Sequence, residues 1–161
     1  MTAAAVQQTA RKSNGAWVVF WAGLIAGTLD LTGACVVSWL RASVTPVRVF
    51  QSVASGVFGS ASFGGGAKTA ALGVVFHFII ATTAAAVYYL ASRKLAFLIN
   101  HTIIAGILYG VLVYLFMNFV VLPLSAVPMR PVALSGRIIG MSIIILCIGL
   151  PIAIIVRRLS K

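Results

Sequence analysis

The sequence predicts an all-α fold: a polytopic membrane protein with a four-helix transmembrane bundle and a short amphipathic helix between the first and second spans. The 161 residues are 61% hydrophobic and only 8% charged, whereas soluble domains are about 45–50% apolar and about 25% charged. The apolar residues form four runs, at about 17–40, 69–91, 99–122 and 134–156, and about 20 residues at 1.5 Å each cross a bilayer. The Lys and Arg residues gather mainly at the ends of these runs. We therefore predict a single transmembrane domain over residues 1–161.

The first run is predicted to be a retained span and not a signal peptide, because it exceeds the 7–15 apolar residues of a secretory signal. It holds Asp30, the only acidic residue of the chain. The residues three and four positions from Asp30 are all small, and Gly23 and Gly27 have the spacing that lets membrane helices approach closely. Asp30 is therefore expected on the packing face of this helix and not on its lipid face.

The segment of about residues 46–60 is predicted to form the short amphipathic helix. Thr45 is suited to the N-cap and Pro46 to the first helical position. Apolar and polar side chains then follow a helical period over about fifteen residues. Two placements fit this pattern: flat in the membrane interface, or packed as a cap on the ends of the spans. The stretch GSASFGGG, residues 59–66, is expected to be a flexible joint into the second span.

The other connections set the topology. Ser92, Arg93 and Lys94 mark a tight turn between the second and third runs, whereas three prolines between the third and fourth predict an extended connection. With four spans, seven Lys and Arg residues fall on the side of both termini and five on the other. The positive-inside rule therefore places both termini in the cytoplasm. The Lys and Arg residues give a net charge of +11. They are expected to contact the bilayer, in particular its anionic lipid headgroups, and not nucleic acid.

Each run carries a stripe of small or polar residues, which predicts a bundle with these stripes facing inward. Small residues let helix backbones approach closely where lipid supplies no hydrophobic force between helices. The glycines assigned to the packing faces are Gly23, Gly27 and Gly33 in the first run, Gly73 in the second, Gly106 and Gly110 in the third, and Gly136 and Gly140 in the fourth.

Four polar side chains are predicted to meet inside the bundle. Counted from the ends of their runs, Asp30 and His77 lie at depths of about 15 and about 12 Å. Tyr114 and Asn118 follow at about 12 and about 6 Å, and Arg137 is the alternative counter-ion for Asp30. Because a carboxylate near the bilayer centre costs about 2.5–3.5 kcal/mol, it should be protonated or paired. Paired with His77, it would form a proton-exchanging site. The alternative is a neutral Asp30, hydrogen-bonded across the small-residue interface, that holds the helices together.

The sequence predicts no enzymatic activity, no cofactor and no metal site. A single carboxylate side chain cannot supply paired acid–base catalysis. His77 and His101 are expected near opposite ends of the bundle, too far apart to share a metal ion. Cys35 and Cys147 lie inside apolar runs and are interpreted as small buried hydrophobes, not as a disulfide or as ligands.

Several stretches carry a resemblance to a known family. They are GLIAGTLD, GVVFHFIIATTAAAVYYLASRK and AGILYGVLVYLFMNFVVLPLS, followed by a closing apolar run. Their layout resembles that of small, uncharacterised bacterial inner-membrane proteins, a domain-of-unknown-function family akin to the YagU-like proteins. The resemblance covers most of the chain. It implies a bacterial cytoplasmic membrane and a loose association with acid or stress tolerance, and it supplies no catalytic residues.

Two hypotheses about function follow. The first is a small transport or proton-linked membrane protein in which Asp30 and His77 form the polar site and Tyr114 and Asn118 line it. A complete permeation path through four-helix chains would then require a homo-oligomer. The second is a non-catalytic accessory or assembly subunit, whose small-residue faces dock onto a larger membrane complex.

Overall fold

The computed structural model describes residues 14–128 and 133–160, which are almost entirely helical and contain no strand. The helices are α1 (Gly15–Ala42), α2 (Pro46–Phe58), α3 (Gly66–Ser92), α4 (Thr102–Leu124) and α5 (Leu134–Leu159). All of these except α2 are long and apolar enough to cross a membrane. The all-α class and the four membrane-length helices are thus confirmed, and they give the architecture of a multi-pass membrane protein.

The helix ends follow from local sequence. Asn14 caps α1, because its side-chain oxygen accepts a hydrogen bond from the amide of Ala16. The predicted third run begins differently from expectation. A separate turn, Phe97–Asn100, comes first, and the non-helical backbone of His101 separates it from α4. Thr45 precedes α2 in an extended conformation, but its side chain makes no capping hydrogen bond.

Within the stretch 59–66, which was expected to join α2 to the second span, residues Gly59–Gly64 form a short 3₁₀ helix. Gly59 and Gly66, at the two ends of this stretch, have positive φ angles of 57° and 58°. Such angles are costly for residues with a Cβ, so glycine is needed at these two points. Between them the chain turns from the end of α2 into the start of α3.

The four long helices run alternately up and down, so each end of the bundle collects four helix termini. We call the end where α1 ends and α3 begins the α2 end, and the opposite end the terminal end. Helix α1 packs against α3 and α5, and α4 packs mainly against α5. Helices α3 and α4 therefore lie on either side of the α1–α5 pair, which leaves room for a space between them.

Glycines stand where the helix backbones approach most closely. A Cβ at Gly23 would lie 2.7 Å from the Cα of Thr82, and one at Gly110 would lie 2.6 Å from the Cα of Ile145. Gly106 faces α5 in the same way, and Gly149, which the sequence did not single out, faces α4 from the other side. These contacts join α1 to α3 and α4 to α5.

The remaining glycines of the predicted packing faces differ in their surroundings. Gly73 faces the backbone of α2, not that of another long helix. A Cβ at Gly33 would lie 3.4 Å from Ile143 and one at Gly140 would lie 3.6 Å from Tyr114, both ordinary contact distances. Gly136 lies half-buried in the first turn of α5. Close backbone approach therefore requires glycine at some of these positions and not at others.

The half of the bundle toward the terminal end holds the packed core. Its fully buried members are Val18, Ala22 and Ala26 of α1, Ala85 and Tyr88 of α3, and Ile152, Ala153 and Val156 of α5. The Tyr88 hydroxyl donates to the carbonyl of Leu98 at 3.0 Å, and the Tyr109 hydroxyl donates to the carbonyl of Ala84 at 2.7 Å. The two tyrosine rings meet edge to face, with centroids 4.9 Å apart. This tyrosine layer bridges α3 and α4.

Helices α4 and α5 each contain a widened turn directly before a proline. The amide of Leu122 donates to the carbonyl of Met117, five residues earlier, and the amide of Leu150 donates likewise to that of Ile145. The next residue in each helix is a proline, which lacks an N–H and crowds the carbonyl four residues before it. Widening the preceding turn accommodates this crowding, and such turns are common near functional sites.

Helix α2 packs on the bundle through polar and small residues. Gln51, Ala54 and Ser55 are buried, whereas Val57 and Phe58 are exposed. The Gln51 amide donates to the carbonyl of Gly66 at 3.1 Å, which ties α2 to the start of α3. Helix α2 therefore contacts the bundle on one side and turns an apolar face outward on the other.

Candidate functional site

A cavity of about 290 Å³ lies between the helices in the half of the bundle toward the α2 end. Asp30 of α1 and His77 of α3 are its two ionisable wall residues among those described. Helix α2 contributes Ser52 and Val53 to the wall, and α5 contributes Ile144 and Ile148 together with apolar residues of α4. The cavity therefore has one polar corner in otherwise apolar surroundings.

The polar corner is the contact between Asp30 and His77. The Oδ2 atom of Asp30 lies 3.9 Å from Nε2 of His77, and the two side chains are 18% and 12% exposed. The same Nε2 lies 2.9 Å from the carbonyl oxygen of Gly27. Since that carbonyl only accepts, Nε2 carries the hydrogen of this bond. His77 is thus held by the backbone of α1, with Asp30 at ion-pair distance and beyond hydrogen-bond distance.

The sequence of α1 explains why the histidine reaches this backbone. A Cβ at Gly27 would lie 3.0 Å from the Phe78 ring, so a larger residue would push α3 away. Gly27 and Asp30 are three residues apart, which puts them on the same face of α1. His77 and Ala81 share a face of α3 for the same reason. The close approach of the helices at Gly23 and Gly27 therefore brings Asp30 and His77 together.

Tyr114 and Asn118 do not line this cavity. Tyr114 faces Gly140 of α5, and the side-chain amide of Asn118 donates to the carbonyl of Tyr114 at 2.9 Å within its own helix. Val113 and Met117, one position before each of them, line the cavity instead. One position along a helix turns the side chain by about 100°, so correct depth did not ensure the correct direction.

Arg137 lies exposed in the first turns of α5, at the α2 end. Within residues 14–128 and 133–160, the contact between oppositely ionisable side chains is that of Asp30 with His77. A neighbouring arginine, Arg41 at the end of α1, instead donates to the hydroxyl of Ser135 at 3.1 Å. The structure therefore brings His77, and not Arg137, to Asp30.

Sequence reasoning missed the apolar wall. Val113, Met117 and Val121 of α4 recur every four residues, which is the spacing of one helix face. That spacing is visible in the sequence, but an apolar stripe in a membrane helix is not distinguishable from its lipid-facing side by pattern alone. The widened turn at Met117 lies in the same stretch.

Different elements lie at the two ends of the cavity. Toward the terminal end, the tyrosine layer lies one helical turn beyond Ala84 and Val113, which are wall residues. Toward the α2 end, α2 and residues 125–127 cover the cavity. The amide of Ala126 donates to the carbonyl of Gly56 at 3.0 Å, so these two covering segments are joined. The first barrier is tightly packed core, and the second is two short connecting segments.

In the described part of the chain, no group of three His, Cys, Asp or Glu side chains lies close enough to hold a metal ion. Cys35 and Cys147 are half-buried thiols that form no disulfide. No protein-family model matches the sequence, and no curated protein or solved structure is significantly similar to it. The resemblance to YagU-like proteins stays a prediction.

Proposed function

We propose that the protein is a small proton-linked membrane transporter in which Asp30 and His77 exchange protons inside the bundle. The observation that supports this most is the 3.9 Å approach of these side chains on the wall of a cavity between the helices. Ionisable residues within membrane helices mark proton relays and substrate pathways by default. Asp30, the single acidic residue of the sequence, is one of these two side chains.

The proposed chemistry needs only these two side chains. Since Nε2 of His77 donates to Gly27, a second proton binds the imidazole at Nδ1. The resulting imidazolium compensates the Asp30 carboxylate when that group has released its proton, which lowers the cost of the charge inside the bilayer. The cavity thus offers a carboxyl group that alternates between a neutral and a compensated form.

The proposal includes an access change. In this conformation the tyrosine layer separates the cavity from the terminal end, whereas α2 and residues 125–127 cover it at the α2 end. Transport requires each barrier to open in turn, and the lighter cover at the α2 end is the easier one to displace. Because one chain encloses only a small cavity, we propose that a homo-oligomer completes the path.

The membrane and its orientation belong to the same proposal. We propose a bacterial inner membrane with both termini in the cytoplasm, which fits the positive-inside rule. Arg93, Lys94, Arg157 and Arg158 lie at the terminal end, where anionic lipid headgroups would meet them. Arg11, Lys12, Lys161 and Arg130, which the same count included, lie outside the described residues.

The test is proton flux in liposomes that enclose a pH-sensitive dye. Wild type is compared with Asp30→Asn, which keeps the size of the side chain and removes its proton exchange. Thr28→Val is the matched control, because Thr28 is an exposed residue of the same helix whose hydroxyl donates to its own backbone at Leu24. We expect Asp30→Asn to lose the flux and Thr28→Val to keep it. Equal flux in wild type and Asp30→Asn would contradict the proposal.

A second candidate function is an accessory or assembly subunit of a larger membrane complex. A shallow apolar groove on the outward side of α3 supports it, with Thr82, Thr83 and Ala86 among the small residues of its floor. Such residues favour close contact with a partner helix. The test is extraction in mild detergent with crosslinking in cells, using Ala86→Leu to fill the groove. Recovery of the lone chain in both wild type and variant would remove this candidate.

A further inference from the structure

We infer that the cavity binds a compact organic ammonium cation with an apolar body, taken up in exchange for the proton of Asp30. This inference rests on the proposed proton-linked function and names the class of solute. It follows from the charge of the cavity, the chemistry of its wall and its size.

The charge of the cavity selects against anions. Asp30 carries the only acidic side chain of the sequence, and it stands on the cavity wall. The arginines and lysines of the described residues lie at the helix ends and in the connections and are absent from this wall. An anionic solute would therefore meet a carboxylate with His77 as its single compensating group, and that imidazole already faces Asp30. A cation meets an opposite charge directly.

The wall selects against sugars and other polyols. Such solutes need several convergent hydrogen-bonding groups, because every buried hydroxyl must find a partner. The two wall hydroxyls, those of Ser52 and Ser125, donate to the backbone carbonyls of Val49 and Leu122. Most other wall positions are aliphatic, as in the Val113, Met117 and Val121 stripe. Alkyl groups attached to a charged nitrogen fit this surface.

The size of the cavity limits the solute to a compact one. Pockets for drug-sized ligands measure about 300–1,000 Å³. The present cavity, at about 290 Å³, lies just below that range. A branched alkylammonium ion of about eight carbons is therefore the appropriate probe.

The exchange is balanced in charge and protons. A neutral Asp30 carboxyl group releases one proton as one monovalent cation binds, so the net charge of the site is unchanged. The titratable groups that face Asp30 are His77 from α3 and Cys147 from α5, whose Sγ lies beside Gly33, one turn beyond Asp30. Helices α2 and α4 contribute hydroxyl and apolar side chains to the cavity. The exchange assigns the released proton to Asp30, while His77 keeps the Nε2 hydrogen that it donates to Gly27.

Binding and proton release are measured together on the full chain in neutral detergent micelles with a weakly buffered pH indicator. The probes share one branched eight-carbon skeleton and differ in charge: 2-propylpentylammonium, the neutral 2-propylpentanamide and the anionic 2-propylpentanoate, with empty micelles as the blank. We expect wild type to bind the cation about ten- to a hundredfold more tightly than the amide and to release up to about one proton per chain. Asp30→Asn should bind cation and amide alike and release none, whereas Thr28→Val should behave as wild type.

The preference of wild type for the cation over the amide tests the inference without any variant. Equal binding of cation and amide, or tighter binding of the anion, would overturn it. If Asp30→Asn does not fold, Asp30→Glu serves instead, and it should keep the proton release. Asp30-dependent binding of the cation without Asp30-dependent proton flux in liposomes would leave this solute class standing and remove the transport function. Asp30-dependent flux with no preference for the cation would remove this solute class and leave the transport function standing.

Discussion

Replacing Gly23 by alanine should separate α1 from α3 and weaken the candidate site at a distance. The new Cβ would lie 2.7 Å from both the Cα and the Oγ1 of Thr82, and rotation of the Thr82 side chain relieves only the second contact. Carbon atoms pack at about 3.5–4.0 Å, so the backbones must part by about 1 Å. Overpacking of this kind costs about 1–3 kcal/mol. The same shift would stretch the 2.9 Å contact between His77 and Gly27 to about 3.9 Å, losing a further 0.5–1.5 kcal/mol or so.

The assay is the free energy of unfolding, measured by circular dichroism during titration of a mild-detergent solution with sodium dodecyl sulfate. Gly33→Ala is the matched control, because it lies on the same helix and its Cβ would meet Ile143 at 3.4 Å, an ordinary contact distance. We expect Gly23→Ala to lose about 1.5–4.5 kcal/mol and Gly33→Ala to change by less than about 0.5 kcal/mol. Equal losses for the two variants would refute the reasoning.

Three further predictions concern the walls of the cavity. His77→Gln should keep the protein folded, because a glutamine amide can still donate to the carbonyl of Gly27, but it should lose proton flux in liposomes; retained flux would exclude His77 from proton exchange. Tyr109→Phe removes the hydroxyl that donates to Ala84 at 2.7 Å, so it should lower the free energy of unfolding by about 0.5–1.5 kcal/mol and raise dye-detected proton leak. Pro151→Ala restores an amide that lets the widened turn close, so hydrogen exchange in this turn of α5 should slow; unchanged exchange would show that the turn does not depend on the proline.

The parts of the fold that depend on composition could be predicted. A backbone in lipid must satisfy its hydrogen bonds internally, so long apolar runs become helices, and their limits are readable from the sequence. Depth was predictable in the same way, because the rise per residue is constant. Asp30 and His77 lie in antiparallel helices at similar distances from the α2 end, and the structure brings them together.

The direction of side chains around each helix was less predictable. Tyr114 and Asn118 were expected to line the site for their polarity, but the cavity is lined by Val113 and Met117, which precede them by one position. A polar side chain indicates the inward face of a helix only where most inward positions are polar. The wall of this cavity is mostly apolar, so polarity did not identify it. Likewise, Pro151 is visible in the sequence, but a proline alone does not show whether a helix ends, kinks or widens the turn before it.

The contact distances around Asp30 bear on its two interpretations. A carboxyl group that holds helices together must be hydrogen-bonded across the interface, at about 2.5–3.2 Å. The Oδ2 atom of Asp30 lies 3.9 Å from Nε2 of His77, whereas this Nε2 donates its hydrogen to the carbonyl of Gly27 at 2.9 Å. Association of α1 with α3 is therefore provided by the glycines and by this histidine-to-backbone bond. Asp30 stands on the cavity wall beside these contacts, and this position supports the proposed binding of a proton or a cation.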